Sequence, residues 1–282
     1  MIVWVVALGV AFGQDAAPAV SSDGLAPAVF SERGVVTSDS NTQRLGAATV
    51  HVGWAHAPFV LKDEHDKAAV IRDDGVVSVS GGVGFGPLRL GATFAGYLAT
   101  SDRFQGVRTA PGDLGVDLQF VPFSASFKRP GFGLLVYASA PLGGHRLGLG
   151  WGAAAWEARA LMDGVAGPVW IAAEAGVRDT PAVQVGDLAL DTSFVWRQAT
   201  GVRFTRHGGM TLEWQGAVAL LHAIRPETTP AEAILSGWID ADQGLSVRLG
   251  ASAGLTPAWT VPSVRAFAEI HGEFARRAPS PK

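Results

Sequence analysis

The chain has 282 residues, with 22 lysines and arginines against 25 aspartates and glutamates, so its formal net charge at pH 7 is −3. A balance this even excludes the basic footprint that nucleic-acid binding needs. The absence of cysteine excludes disulfide bonds and thiolate metal sites. No internal run of about 18 apolar residues occurs, which argues against transmembrane helices. A membrane form of this chain would therefore have to be a closed β-barrel.

The first 13 residues predict a signal peptide. Residues 1–12 are largely apolar, and Ala11-Phe12-Gly13 has the small-x-small pattern that precedes cleavage before Gln14. The absence of a lysine or arginine ahead of this run is atypical, and a buried first strand is the alternative. Residues 14–44 are rich in Ala, Pro, Ser, Asp and Thr and show no period. This composition predicts a flexible leader on the periplasmic side.

From residue 45 to residue 274, apolar and polar residues alternate with a period of two. Near the end of this stretch, the apolar Val264, Ala266 and Ala268 alternate with residues that include Arg265 and Glu269. Successive side chains of a strand point to opposite faces, so each segment has one apolar and one polar or small-residue face. Strands of about ten residues with this pattern are typical of transmembrane β-barrels. The alternation predicts twelve strands, over residues 45–54, 76–85, 88–98, 113–123, 132–140, 146–158, 167–178, 187–204, 209–220, 231–241, 244–254 and 264–274.

The predicted fold is therefore an all-β, antiparallel, up-and-down transmembrane barrel over residues 45–274. The connections support it, because outer-membrane barrels alternate short periplasmic turns with longer outer loops. The longer connections are residues 56–75, 100–112, 179–186, 221–230 and 255–263. The tight ones are 86–87, 164–166, 206–208 and 242–243. An even strand count then puts both termini on the periplasmic side. Two connections depart from the rule, since 141–145 is short for an outer loop and 124–131 is long for a turn.

Aromatic residues give a weaker indication of the same fold. The predicted periplasmic ends of the strands carry Phe85, Phe123, Phe204 and Phe274, where aromatic girdles form in outer-membrane barrels. Three tryptophans have the parity of the inward rows: Trp156, Trp170 and Trp238.

The predicted inward rows carry charges of both signs. The residues expected to line the lumen are Arg89, Asp117, Glu174, Arg197, Arg203, Glu213, Glu232, Asp240, Arg248, Arg265 and Glu269. Charges in a narrow interior must be paired or hydrated. They either cross-link the wall and fill the lumen, or they line a narrow aqueous path that selects solutes. The alternation of sign favours the first interpretation.

No catalytic residue, cofactor site or metal site is predicted. The glycine-rich residues 82–86 are not followed by a helix, which argues against a dinucleotide or phosphate site. His65 lies among Asp63, Glu64 and Asp66, which could hold a divalent cation loosely, but a hydrated charged loop is the favoured interpretation. No pattern brings a nucleophile, a base and an orienting group together. We therefore expect a protein that is not an enzyme.

Several short motifs occur in a fixed order: Ala57-Pro58-Phe59-Val60-Leu61, Gly112-Asp113-Leu114, Pro230-Ala231-Glu232, Gly237 and a glycine-rich penultimate strand. Together they resemble the N-terminal barrel of OmpA-family proteins of Gram-negative bacteria, over about residues 45–274 and most specifically over 230–274. The resemblance implies an outer-membrane barrel, often followed by a Pro-rich linker and a periplasmic peptidoglycan-binding domain. Residues 275–282 resemble the start of such a linker, through which a periplasmic partner or the cell wall could be reached. No peptidoglycan-binding motif and no catalytic residue carries over.

Three functional hypotheses follow from the sequence. The leading one is an outer-membrane barrel in contact with lipid, with a structural or anchoring role and at most weak pore activity. The alternative is a dedicated channel for small hydrophilic solutes. The third is a secreted β-sandwich, which the scarcity of lysine, the unequal connections and the terminal Phe274 oppose.

Overall fold

The computed structural model describes residues 28, 31, 34, 35, 37–40, 44–62, 67–101, 104–142, 153–181, 183–185, 188–221, 224–241, 244–258 and 261–275. The predicted signal peptide and most of the C-terminal tail therefore lie outside the described residues, as does the acidic loop around His65. None of the described helical turns is long and apolar enough to cross a membrane.

Twelve long strands form the wall. They are β1 (Arg44–Lys62), β2 (Lys67–Phe85), β3 (Leu88–Ser101), β4 (Phe104–Phe123), β5 (Gly131–Ala140), β6 (Ala155–Ala166), β7 (Val169–Asp179), β10 (Ser193–Thr205), β11 (Gly208–Ala219), β12 (Ala231–Asp240), β13 (Leu245–Gly254) and β14 (Val264–Ala275). Two short strands, β8 (Val183–Val185) and β9 (Leu188–Leu190), form a separate hairpin between β7 and β10. In the part of the chain that the structure describes, a 3-10 turn lies at Pro226–Thr228.

The wall is a closed antiparallel ring. Each long strand pairs with the next one along the chain, β7 pairs with β10 across the small hairpin, and β14 returns to β1. The closing pair sets Phe274 opposite Gly46 and Val264 opposite His56. The prediction of an all-β up-and-down barrel of twelve strands is confirmed.

The two faces of the wall differ as the period of two predicts. On β13, Leu245, Val247 and Leu249 are exposed on the outside, whereas Ser246 and Arg248 are buried inside. The same separation holds along β14 and along the central parts of β3 and β4. The outer surface is thus apolar and the inner surface carries the polar side chains.

Strand β6 lies further along the chain than the sequence pattern predicted. The prediction was residues 146–158 with a turn at 164–166, whereas the strand is Ala155–Ala166 and the turn is Gly167-Pro168. Gly167 has a φ of 60°, a left-handed conformation that glycine adopts without strain. The expectation that Trp156 points inward is wrong for the same reason, since its side chain is 46% exposed and donates to Asp179 Oδ2 at 3.2 Å. Strand β5 ends at Ala140 and β6 begins at Ala155, so the predicted connection of only residues 141–145 is wrong.

The first four strands are longer than predicted. β1 and β2 each have 19 residues, β3 has 14 and β4 has 20, against ten each in β12 and β13. The predicted loops 56–75 and 100–112 are therefore largely strand. These extended strand ends lie at one rim of the barrel. The opposite rim carries the tight turns 86–87, 167–168 and 206–207, together with the closing pair of Arg44 with Ala275. We call it the short-turn rim.

Candidate functional site: the barrel interior

The structure places the predicted lumen residues on the polar inner face of the wall. All of them are buried except Arg203 and Asp240, whose side chains are about one third exposed. These two form a salt bridge of 3.5 Å near the short-turn rim, and the Arg203 guanidinium lies over the Trp238 ring at 5.1 Å from its centroid.

The first buried ion network joins β6, β7 and β10. Arg159 Nε lies 2.6 Å from Glu157 Oε1, and its Nη1 donates to Glu174. Arg178 Nε donates to Glu157 Oε2 at 2.6 Å, and Arg197 Nη2 lies 3.7 Å from Glu157 Oε1. Only Glu174 and Arg197 were predicted. Glu157 and Arg159 were missed because β6 was predicted out of place. The predicted inward position of Trp156 put Glu157 on the outer face, and Arg159 lay beyond the predicted end of the strand at residue 158.

The second network joins β1, β13 and β14. Arg248 and Glu269 are directly opposite in the β13–β14 register, and Arg248 Nη1 donates to Glu269 Oε2 at 2.8 Å. His51 Nδ1 lies 3.0 Å from the other oxygen of the same carboxylate. On the neighbouring rows, Arg265 Nε lies 3.5 Å from Glu232 Oε1. The inward parity of His51 was the sequence signal that could have identified it.

The N-terminal residues that the structure describes lie inside this ring. The buried residues are Ser31, Gly34, Val35 and 37–40. The exposed fraction of Ser31, Val35 and 37–40 is between 0% and 4%. We call these residues the luminal segment. The prediction of a flexible leader over residues 14–44 does not fit them, because the wall holds them by their main chain.

Wall carboxylates accept the main-chain N–H groups of the luminal segment. Val35 N–H donates to Glu213 Oε1 at 2.6 Å and Thr37 N–H donates to Glu213 Oε2 at 3.1 Å, so one carboxylate binds two amides that are two residues apart. Ser38 donates to Glu174 Oε1 at 2.5 Å. Further toward the short-turn rim, the Ser40 N–H donates to Asp163 Oδ2 on β6 at 3.2 Å. Hydrogen bonds to ionised groups are among the stronger ones in proteins.

Wall arginines donate to the carbonyl groups of the same segment. Arg248 Nη1 donates to Gly34 O at 2.7 Å and Nη2 donates to Ser31 O at 3.0 Å. On β3, four strands away around the ring, Arg89 Nη1 donates to Asp39 O at 2.7 Å. Both ends of the segment are therefore held by guanidinium groups from separate parts of the wall.

The local sequence suits this position. Ser31 Oγ accepts the N–H of Gly34 at 2.9 Å and donates to its carbonyl at 2.8 Å, which forms a compact turn. A Cβ on Gly34 would lie 2.7 Å from Thr37 O and 3.1 Å from Glu213 Oε2. Val35 is the apolar contact, packed in one buried cluster with two wall residues, Ile234 and Phe267.

The luminal segment donates hydrogen bonds to wall carboxylates, which outnumber the buried arginines of the wall. Among the described residues, the buried wall carboxylates are Asp74, Asp117, Glu157, Asp163, Glu174, Glu213, Glu232 and Glu269. The buried wall arginines are Arg89, Arg159, Arg197, Arg248 and Arg265. Eight acids face five arginines, and buried charge without a partner is costly. Main-chain amides of the segment donate to three of these acids, of which Glu174 also binds Arg159.

No family model matches the sequence, and no curated protein matches it. The fold is similar to that of the COG4313 outer membrane channel from Pseudomonas putida F1, with a TM-score of 0.62 and 12% identity over 84% of this chain and 97% of that one. It is also similar to the NanC porin, with a TM-score of 0.54 and 5% identity over 80% of this chain and 98% of the porin. At these identities the likeness establishes a shared barrel fold.

Proposed function

We propose that the protein is a channel for small hydrophilic solutes in the bacterial outer membrane. The observation that carries this proposal is the contrast between the two surfaces of the closed wall. The outside exposes leucine, valine and phenylalanine to the surroundings, and the inside buries charges of both signs. A closed barrel leaves no strand edge unpaired in lipid, and a charged interior gives hydrophilic solutes a favourable path.

The structural likeness supports the channel over a structural or anchoring role. The two similar structures are, by their own descriptions, an outer membrane channel and a porin. The anchoring hypothesis depends on the C-terminal tail, of which residues 276–282 lie outside the described part of the chain.

The lengths of the connections support one orientation of the barrel in the membrane. Short turns face the periplasm in outer-membrane barrels, and both Arg44 and Ala275 lie at the short-turn rim. We therefore assign this rim to the periplasmic side. The excess of buried carboxylates over arginines in the described wall favours cations over anions in an open path.

Reconstitution of the full-length protein in planar bilayers tests the proposal. Folding is checked by heat-modifiable mobility in gels, and the same preparation unfolded by heat is the matched control. We expect small, infrequent, cation-preferring conductance steps from the folded protein alone. A folded protein that passes no ions, even when the luminal segment has left the barrel, would refute the channel function.

A further inference from the structure

The luminal segment lies across the interior of the barrel and packs against the wall. Val35, Thr37 and Ser40 have no exposed surface, and Ser38 is 1% exposed, so no water-filled gap surrounds them. Their contacts come from most of the ring: β3, β4, β6, β7, β11, β12, β13 and β14. A solute that enters from either rim meets this segment before it can cross.

The wall does not need the segment in order to close. Every barrel strand is hydrogen-bonded to two neighbouring strands, and the segment forms no part of the ring. The groups that hold it are carboxylates and guanidinium groups, which water also solvates well. Exchange of these hydrogen bonds for bonds to water is nearly balanced, and release restores the conformational freedom of the segment.

The route of exit is also defined. The segment precedes β1, which begins with Arg44 at the short-turn rim. Ser40, near the C-terminal end of the segment, lies close to the same rim, where its Oγ accepts the N–H of Ala125 at 2.7 Å. The segment can therefore leave toward this rim while its attachment to the wall stays in place.

We propose that the luminal segment is a built-in plug, held by its main chain, and that the channel opens when the segment leaves toward the periplasmic side. This inference rests on the proposed channel function and assigns its regulation to the chain's own N-terminal residues. The carboxylate of Glu213 and the guanidinium of Arg248 are the principal wall contacts of the plug.

A substitution within the segment tests the plug without altering the wall. In Gly34→Val the new side chain would collide with Thr37 O and the Glu213 carboxylate, so the segment should dock poorly. The matched control is Gly96→Val, because a Cβ on Gly96 would meet only Val77 O, at 4.0 Å. We expect Gly34→Val to raise the open probability of the full-length channel by about tenfold, as a change near 1.4 kcal/mol would. We expect no rise in the control.

A cysteine pair tests the plug in the opposite direction. The natural chain has no cysteine, so Val35→Cys with Ile234→Cys places one reactive pair within a single buried cluster. Bridging the pair, by oxidation or with a short bifunctional thiol reagent, should abolish the openings, and reduction of the disulfide should restore them. Each single cysteine variant serves as a control and should not respond to the oxidant.

Labelling separates failure of the plug from failure of the channel. A membrane-impermeant maleimide should react with Val35→Cys much faster when Gly34→Val is also present. Unchanged labelling with unchanged conductance would overturn the plug, as would full conductance from the bridged pair. Faster labelling without any conductance would instead overturn the channel function and, with it, the closing role.

Discussion

The depth of Leu249 in the membrane can be tested by one pair of arginine substitutions. Leu249 and Leu245 lie on the same outer face of β13, with 63% and 44% of their surface exposed. Four residues of a strand span about 14 Å, and a strand tilt of roughly 45° reduces this to about 10 Å along the membrane normal. Leu245 lies at the end of the strand, so Leu249 lies near the middle of an apolar band about 25 Å tall.

The expected costs follow from these depths. An arginine at the midplane of an outer-membrane barrel costs about 2–4 kcal/mol, and one near the interface costs about 0–1 kcal/mol. Leu249→Arg should therefore destabilise the folded barrel by about 2–3 kcal/mol more than Leu245→Arg does. Urea titration in lipid vesicles, followed by heat-modifiable mobility, measures the difference. Equal losses in the two variants would refute the assignment of this face to the membrane interior.

Three further predictions concern the interior and the turns. Arg159→Met removes a cation shared by two buried carboxylates and should lower the free energy of unfolding by about 3–5 kcal/mol. Arg203→Met removes a cation whose carboxylate partner is about one third exposed, and should change this free energy by about 0–1 kcal/mol. Similar losses for the two variants in urea titrations would contradict the network. Gly244→Ala should lower the free energy of unfolding more than Gly86→Ala does in the same titration. Both glycines have a positive φ, which alone costs an alanine about 1–2 kcal/mol. Only at Gly244 would the new Cβ also lie 2.6 Å from a carbonyl oxygen. Glu213→Gln keeps the shape of the side chain but removes its charge and one of the two acceptor oxygens that hold the luminal segment. Single-channel recordings should therefore show openings about tenfold more frequent. An unchanged opening frequency would argue against this contact.

The wall could be predicted from sequence because its pattern is local. An apolar residue at every second position is needed wherever a strand has lipid on one side, and the row from Leu245 to Leu249 satisfies this without reference to any partner. Local alternation was also the source of the main error. Residues 147–152 alternate glycine with larger residues, so the pattern favoured a strand there, whereas β6 begins at Ala155.

The luminal segment had no sequence signature of burial. Its residues bind through amides and carbonyls, which every residue has, so small polar side chains such as Ser38 and Thr37 resemble those of a solvated leader. The wall gave a partial indication, since Glu213 was predicted to face inward without a predicted cationic partner. Identifying that partner requires the three-dimensional arrangement, because it is a main-chain donor far away in sequence.

The distance between these partners along the chain also determines when the protein can become sealed during its assembly. Ser31 bonds to Arg248 across 217 residues, and Ser40 bonds to Asp163 across 123. Contacts between such distant residues form late in folding, after the intervening chain has been ordered. The strands from β11 to β14 must be in the sheet before the N-terminal part of the segment, from Ser31 to Thr37, has its wall partners. A newly made molecule should therefore close its ring of strands first and become impermeable only in a final, slower step. Although the luminal segment is synthesised before the strands, this order does not let it bind earlier, because its partners lie on those strands.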